Sequence, residues 1–281
     1  MLAQTINTPT PLALQETPPL IETVFPAQKV SFEAQTERKA VAAQTLTGLG
    51  SYWKGRKPLI LVRAIVLGNL LSPTDDAEAD LAVFEKLMAF DDEGLTRRAL
   101  AANAFFPKEI AARIELANPW NYFKATIQRA GLTGGDIRWM TFPLHADEEG
   151  ISLRWKQEIP EEDKLEIYRK MLATFSSYEE KAARCKRPEE VDQDWLYDEV
   201  WPVVNRHYGH LGLNAHSFPE LVEQLGILRY GHRPRVGDTF CGGGSIPFEA
   251  ARIGCDVYAS DLNPVACMLT LGRVQHRWRS P

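Results

Sequence analysis

The residues best suited to ligand chemistry lie near the carboxyl-terminal end. They are the stretch Asp238-Thr239-Phe240-Cys241-Gly242-Gly243-Gly244-Ser245-Ile246-Pro247 and the acidic segment Asp261-Leu262-Asn263-Pro264 that follows it. Three consecutive glycines remove the side chains that keep a ligand off the backbone, and they permit left-handed dihedrals. A helix entered from such a turn presents free amides and the positive end of its dipole, a setting for a carboxylate or a phosphate. A glycine turn alone is shared by nicotinamide, flavin and S-adenosylmethionine sites. Its neighbours discriminate: Asp238 welcomes a cationic amino-acid group and repels a diphosphate, and Asp261 can accept from both hydroxyls of a ribose. The third glycine of the dinucleotide pattern Gly-x-Gly-x-x-Gly is absent, because Pro247 stands in its place. Asp238, Gly242, Gly244 and Asp261 together favour S-adenosylmethionine.

A second group is Tyr52-Trp53-Lys54-Gly55-Arg56-Lys57-Pro58-Leu59, with Arg63 one turn further on. Trp53, Arg56, Lys57 and Arg63 combine an aromatic face with cations, so they can stack a base and neutralise a phosphate or the carboxylate of a cofactor. The same composition suits a solvated basic loop anchored by Trp53. Arg229, His232, Arg233 and Arg235, leading into the first strand, suit contact with nucleic acid or the balancing of acidic neighbours, and the second is the expectation. His207, His210 and His216 have no carboxylate or cysteine at ligand spacing and are expected in loops, not at a metal. The four cysteines are scattered, with no Cys-x-x-Cys pair, and are expected to be reduced thiols; the three near the glycine turn, Cys241, Cys255 and Cys267, are expected to be small buried residues, not nucleophiles. None follows a proline, which excludes the nucleophile of carbon-5 cytosine methylation.

These residues need elements to hold them. Arg235–Phe240 reads as a strand, 241–244 as a tight turn, Ser245–Ile253 as a helix closed by Gly254, and Asp256–Ser260 as a second strand: a βαβ order. The preceding chain reads as mainly helical. Helices are expected over Val30–Ala43, from Pro58 to Leu70, from a cap at Thr74-Asp75-Asp76, and over Thr96–Ala104 and Pro107–Ala117. Others are expected over Tyr122–Ala130, Glu161–Arg187 and Asp192–His207. A last one runs from the Ser217 capping box to Leu225, stopped by Gly226. A hairpin is expected within Arg138–Trp155.

The 281 residues carry 44% hydrophobic side chains and a net charge of −5, enough for a sizeable core but without the global basic field of a nonspecific DNA binder. No apolar stretch approaches the roughly 20 residues of a spanning helix, and the start lacks a secretory pattern, so a cytoplasmic protein is expected. The Thr-, Pro- and Gln-rich residues 1–19 read as a disordered tail.

The segment 238–254 with Asp261–Ala266 resembles the first motif and acidic strand end of amino-methylating DNA methyltransferases, where Asp-x-Phe-x-Gly-x-Gly precedes a helix. The resemblance implies that Asp238 lies near the methionine amino group and Phe240 packs on the cofactor. It also implies that Gly242 and Gly244 form the turn, Asp261 binds the ribose, and Asn263 and Pro264 shape the adenine side. Leu20–Leu71 resembles the N-terminal domain of the DUF1156 family, large bacterial and archaeal proteins described as adenine-specific DNA methylases, some found with anti-phage systems. The match rests on Tyr52-Trp53, Arg56-Lys57-Pro58-Leu59 and Arg63, with Tyr in place of the first Trp and an altered spacing at Lys54-Gly55.

The resemblance implies an α/β protein: a mostly helical region followed by the first βαβ unit of an incomplete class I Rossmann-like methyltransferase domain. The expected segments are a tail at 1–19, a DUF1156-like segment at 20–73, a mainly helical region at 74–230 and the cofactor unit at 231–281. Transfer to adenine also requires Asp/Asn-Pro-Pro-Tyr/Phe to hold a flipped base, and that tetrapeptide is absent from the sequence. The chain is therefore expected to be the N-terminal fragment or split part of an adenine methyltransferase, inactive alone, with DNA and a second, catalytic polypeptide as partners. The alternative is a non-catalytic DNA- or partner-binding module of a phage-defence system.

Overall fold

A computed structural model describes residues 9–40, 57–127 and 151–277. In chain order these form helices α1 (Ala27–Lys39), α2 (Leu59–Leu70), α3 (Ala77–Leu87), α4 (Asp92–Ala101) and α5 (Pro107–Arg113), then strands β1 (Phe123–Ile127) and β2 (Ile151–Trp155). There follow α6 (Glu161–Ala173), α7 (Tyr178–Ala182), α8 (Gln193–Tyr197), α9 (Val200–His207) and α10 (Phe218–Tyr230). The last elements are β3 (Arg235–Asp238), α11 (Ser245–Arg252), β4 (Asp256–Ala259) and α12 (Pro264–Arg277). Over the described residues the protein is thus mixed α/β, mostly helical, with two small sheets. It divides into two compact units, one built from residues 1–91 and 192–281, the other from residues 92–191.

The first unit is organised around α2. Its sequence, Leu-Ile-Leu-Val-Arg-Ala-Ile-Val-Leu-Gly-Asn-Leu, is apolar on most sides, the signature of a helix with neighbours all round. Leu59, Ile60, Val62, Ala64, Leu67 and Leu70 are all buried. Pro58 presets the entry, and the carboxylate of Glu37 on α1 caps the free amides of Leu59 and Ile60 at 2.9 and 3.2 Å. Asp76 caps α3 by accepting from the Ala79 amide, as the sequence leads one to expect.

At the chain's start the structure corrects that reading. Residues 9–19 do not form a loose tail: the amides of Leu12 and Leu14 donate to the carbonyls of Ile227 and Leu228 on α10, and Leu14 is buried. Arg229 secures the segment, its guanidinium donating to the carbonyls of Leu14, Thr17 and Pro18 and also to those of Leu70 and Leu71. A composition rule cannot register a partner that distant in sequence. Residues 1–8 lie outside the described residues.

Two helix ends also differ from expectation. The Asp192–His207 run breaks at Asp198-Glu199 into α8 and α9. Ser217 does cap α10, but the helix runs through Gly226 to Gly231, which adopts φ +73°. Gly226 answers a packing demand: a Cβ there would lie 2.3 Å from Pro234 Cδ and 2.8 Å from the His232 carbonyl. The turn that leads α10 into β3 folds back against its helix at this point.

β3 and β4 pair in parallel, with Arg235 opposite Asp256 and Asp238 opposite Ala259. The connection between them is α11, which packs on both strands, so the expected strand, turn, helix, strand order is formed.

The second unit holds α4 to α7 and an antiparallel pair. Of the helix expected over Tyr122–Ala130, the described part is instead a strand: Phe123–Ile127 is β1, and its partner is β2, with Phe123 opposite Trp155; residues 128–130 lie outside the described residues. Of the hairpin expected within 138–155, the described part, Ile151–Trp155, is β2, paired with β1; residues 138–150 lie outside the described residues. The Phe123 and Trp155 rings meet edge-on at 4.8 Å, a contact that local helical spacing does not foresee. The helix expected over Glu161–Arg187 ends at Ala173. A new one starts at Tyr178, where a capping box of Ser177 and Glu180 offers the backbone a competing arrangement.

Gly226→Ala is expected to destabilise the protein by about 1–3 kcal/mol through forced overpacking against Pro234. Denaturant unfolding checks this; an unchanged midpoint would contradict the packing role.

Candidate ligand-binding site

The site is built where β3 and β4 end side by side. The ladder carries on beyond the strands, with the Ser260 amide donating to the Asp238 carbonyl at 2.9 Å and the Cys241 amide to the Ser260 carbonyl at 3.0 Å. The chain then reverses. The Gly244 amide donates to the Cys241 carbonyl at 2.7 Å, and Gly242 and Gly244 take φ of +48° and +74°. Gly244 has a second constraint, since a Cβ would fall 2.5 Å from Thr270 Oγ1 on α12. α11 starts at once, with its first intrahelical bond from the Phe248 amide to the Gly244 carbonyl.

Asp261 joins the two halves of the motif. One carboxylate oxygen accepts from the Gly242 amide and the other from the Asn263 amide, each at 2.8 Å. These bonds, the Asn263 one first and then the Gly242 one, hold its carboxyl below the ordinary aspartate range. Each oxygen keeps acceptor capacity, so the group that locks the turn can still accept from hydroxyls. Asn263 side-chain oxygen caps α12 by accepting from the Val265 amide at 3.0 Å, and Pro264 is the first residue of that helix. Asp238 accepts from the Phe240 amide at 3.2 Å. The Phe240 ring is 77% exposed, free to lie against a planar ligand.

Beneath the turn lies a charged cluster. Glu249 on α11 is fully buried; Arg252 meets both its oxygens at 2.5 Å, and Arg63 Nε of α2 donates at 3.0 Å. Burial alone would raise the Glu249 carboxyl, but the two guanidinium groups, Arg252 and then Arg63, hold it below its ordinary value. The Arg63 guanidinium also donates to the Tyr197 hydroxyl at 2.7 Å and lies 5.0 Å from the Phe218 ring.

The two candidate groups of the sequence thus meet in an unexpected way. Asp238, Phe240, Gly242, Gly244, Asp261, Asn263 and Pro264 gather at one strand-end turn. Arg63, read as a contact for nucleic acid or a cofactor carboxylate, is 1% exposed and meets a carboxylate from inside the protein. Lys57 is exposed just ahead of α2, and Trp53 and Arg56 lie outside the described residues. Glu249 and Arg252 escaped the sequence reading; their three-residue spacing on an otherwise apolar helix was the signal, but the partner helix could not be named from it.

Other polar residues serve the scaffold. Arg233 pairs with Glu223 at 2.8 Å. His207 is not a loop residue: it ends α9, with Nε2 2.7 Å from the buried Asp80 carboxylate of α3. Cys241 and Cys255 are buried, and burial, with Asp256 adding to it, pushes the Cys255 thiol up to about 11, away from thiolate chemistry.

Residues 24–87 match the family model described as Protein of unknown function (DUF1156). The match supports the family assignment, and it spans α1, α2 and α3, Arg63 included, but not the glycine turn. No curated protein and no solved structure matches the chain. Among the described residues no helix is long and apolar enough to cross a membrane.

Because the Asp261 pKa is lowered by folding, its hold on the turn is present above that value and is lost as pH falls through it. In an NMR titration the Gly242 and Asn263 amides are expected to shift together, with a midpoint below the ordinary aspartate value of about 3.9. A midpoint at or above that value would show that these bonds do not form in solution.

Proposed function

We propose that the chain binds S-adenosylmethionine at the turn between β3 and α11. In this reading β3, α11 and β4 are the opening βαβ unit of a class I, Rossmann-like methyltransferase sheet. The observation that carries it is the Asp261 bond to the Gly242 amide, which brings the acidic strand end onto the glycine turn. The donor set suits this ligand. Asp238 and Asp261 place two carboxylates where a zwitterionic amino acid and a ribose offer an ammonium and two hydroxyls, and where a diphosphate would be repelled. Phe240 supplies an exposed aromatic face, and the α11 N-terminus a positive dipole end for a carboxylate.

The resemblance of this segment to amino-methylating DNA methyltransferases makes an amino group of DNA, that of adenine, the acceptor in this reading. The chain has no Asp/Asn-Pro-Pro-Tyr/Phe tetrapeptide to hold a flipped base. The transfer step is accordingly assigned to residues of a second polypeptide, with this chain supplying the cofactor site. A polypeptide partner suits the surface beside the turn, where Tyr258, Leu262, Val265, Met268 and Leu271 are exposed, because parallel strands are ordinarily covered on both faces.

Calorimetry with S-adenosylmethionine tests the site. Binding is expected to the unmodified chain and to weaken about a hundredfold in Asp261→Ala, which removes charge-assisted bonds to two hydroxyls. Nicotinamide dinucleotide is expected not to bind. No binding of S-adenosylmethionine at millimolar concentration would reject the reading and leave the non-catalytic, partner-binding alternative.

A further inference from the structure

We infer that Arg63 is a positioning residue for the glycine turn, and that the DUF1156-matched helix α2 serves in this chain to set α11 in place through the buried Arg63–Glu249 pair. The inference rests on the reading of that turn as a ligand site. Three observations carry it.

The pair is inaccessible, with side-chain exposures of 1% and 0%, so it cannot act on a ligand directly and must act through what it holds. Glu249 lies one helical turn from Ser245, the first residue of α11 and the one that follows the glycines, so both face the same side. Both are buried, and a displacement of Glu249 moves the start of the helix and its free amides with it. Finally, Arg63 is itself fixed from three directions: by the Tyr197 hydroxyl, by the Phe218 ring and by its place on a helix whose first amides are capped by Glu37.

Arg252 already matches the charge of Glu249 from within α11, at 2.5 Å to each oxygen. Charge neutralisation alone therefore does not call for Arg63. What Arg63 adds is a tether between two helices far apart in sequence, and a guanidinium fixes direction as well as distance. Buried ion pairs are poor sources of net stability, and their best-attested use is to select one arrangement among several similar ones. Here the arrangement selected is the seat of α11 on α2, and with it the position of Gly242 to Ser245.

Hydrogen exchange of the ligand-free chain tests this, using Arg63→Met, which keeps bulk, removes the tether and leaves Glu249 paired with Arg252. Amides of residues 239–248 are expected to exchange about tenfold faster, while those of α2 and α10 keep their protection, as a local opening requires. Unchanged exchange at 239–248, or an equal rise throughout the unit, would overturn the inference. If Arg63→Met does not fold, Arg63→Lys is judged by the same comparison, with a smaller local rise expected because the ammonium cannot reach both partners. No ligand is used, so failure of S-adenosylmethionine binding would reject the proposed function and leave this result standing.

Discussion

A carboxylate with no access to water needs cations around it, and Glu249 imposes that requirement on the first unit. Removing Glu249, the carboxylate both guanidinium groups share, would leave buried charges uncompensated, a loss that typically costs about 3–5 kcal/mol. Replacing the whole cluster with packed apolar groups is often neutral. The cluster is therefore better understood as a constraint on geometry than as a source of stability. Arg63 comes from α2, Arg252 and Glu249 from α11, and Gln193 at the start of α8 receives a bond from Arg252 at 3.3 Å. Three stretches of chain, the first more than a hundred residues from the other two, are brought to one point.

The site above this cluster is made almost wholly of backbone, with a carboxylate at its centre. Asp261 closes it by taking the Gly242 and Asn263 amides, and Asn263 in turn caps α12. The same residues that the proposed function assigns to the ligand thus also hold the turn. Such double duty is possible for a carboxylate, which has acceptor sites to spare, and would not be for an amide donor. Gly244, pressed against Thr270, ties the turn to α12 as well. The turn is seated on its own helix below, on the acidic strand end beside it and on the following helix behind it.

A similar economy holds at the other end of the chain. Arg229 has backbone carbonyls for partners, and in collecting five of them it binds residues 9–19 to the end of α2. Burial lowers its pKa, yet a guanidinium stays charged under ordinary conditions. A neutral side chain could not satisfy that many carbonyls at once.

The sequence by itself determined what depends on neighbours along the chain. The cap at Asp76, the proline entry to α2, the Ser217 cap and the strand, glycine turn, helix, strand order at 235–259 are all local, and each is formed. Asp238 and Asp261 were recognisable as a pair because the spacing of that order places two strand ends together. Tertiary structure decided what depends on partners far away. Phe123–Ile127 is a strand because Ile151–Trp155 lies beside it, Gly226 is a close contact because Pro234 returns to it, and residues 9–19 are ordered because Arg229 collects their carbonyls. Arg63 is the sharpest instance. As a residue in a basic stretch it had the chemistry of a surface cation, and only the approach of α11 made it the buried partner of Glu249. The type of a charged side chain limits what it can bind, but which opposite charge it meets is set by the packing of helices that no local pattern encodes.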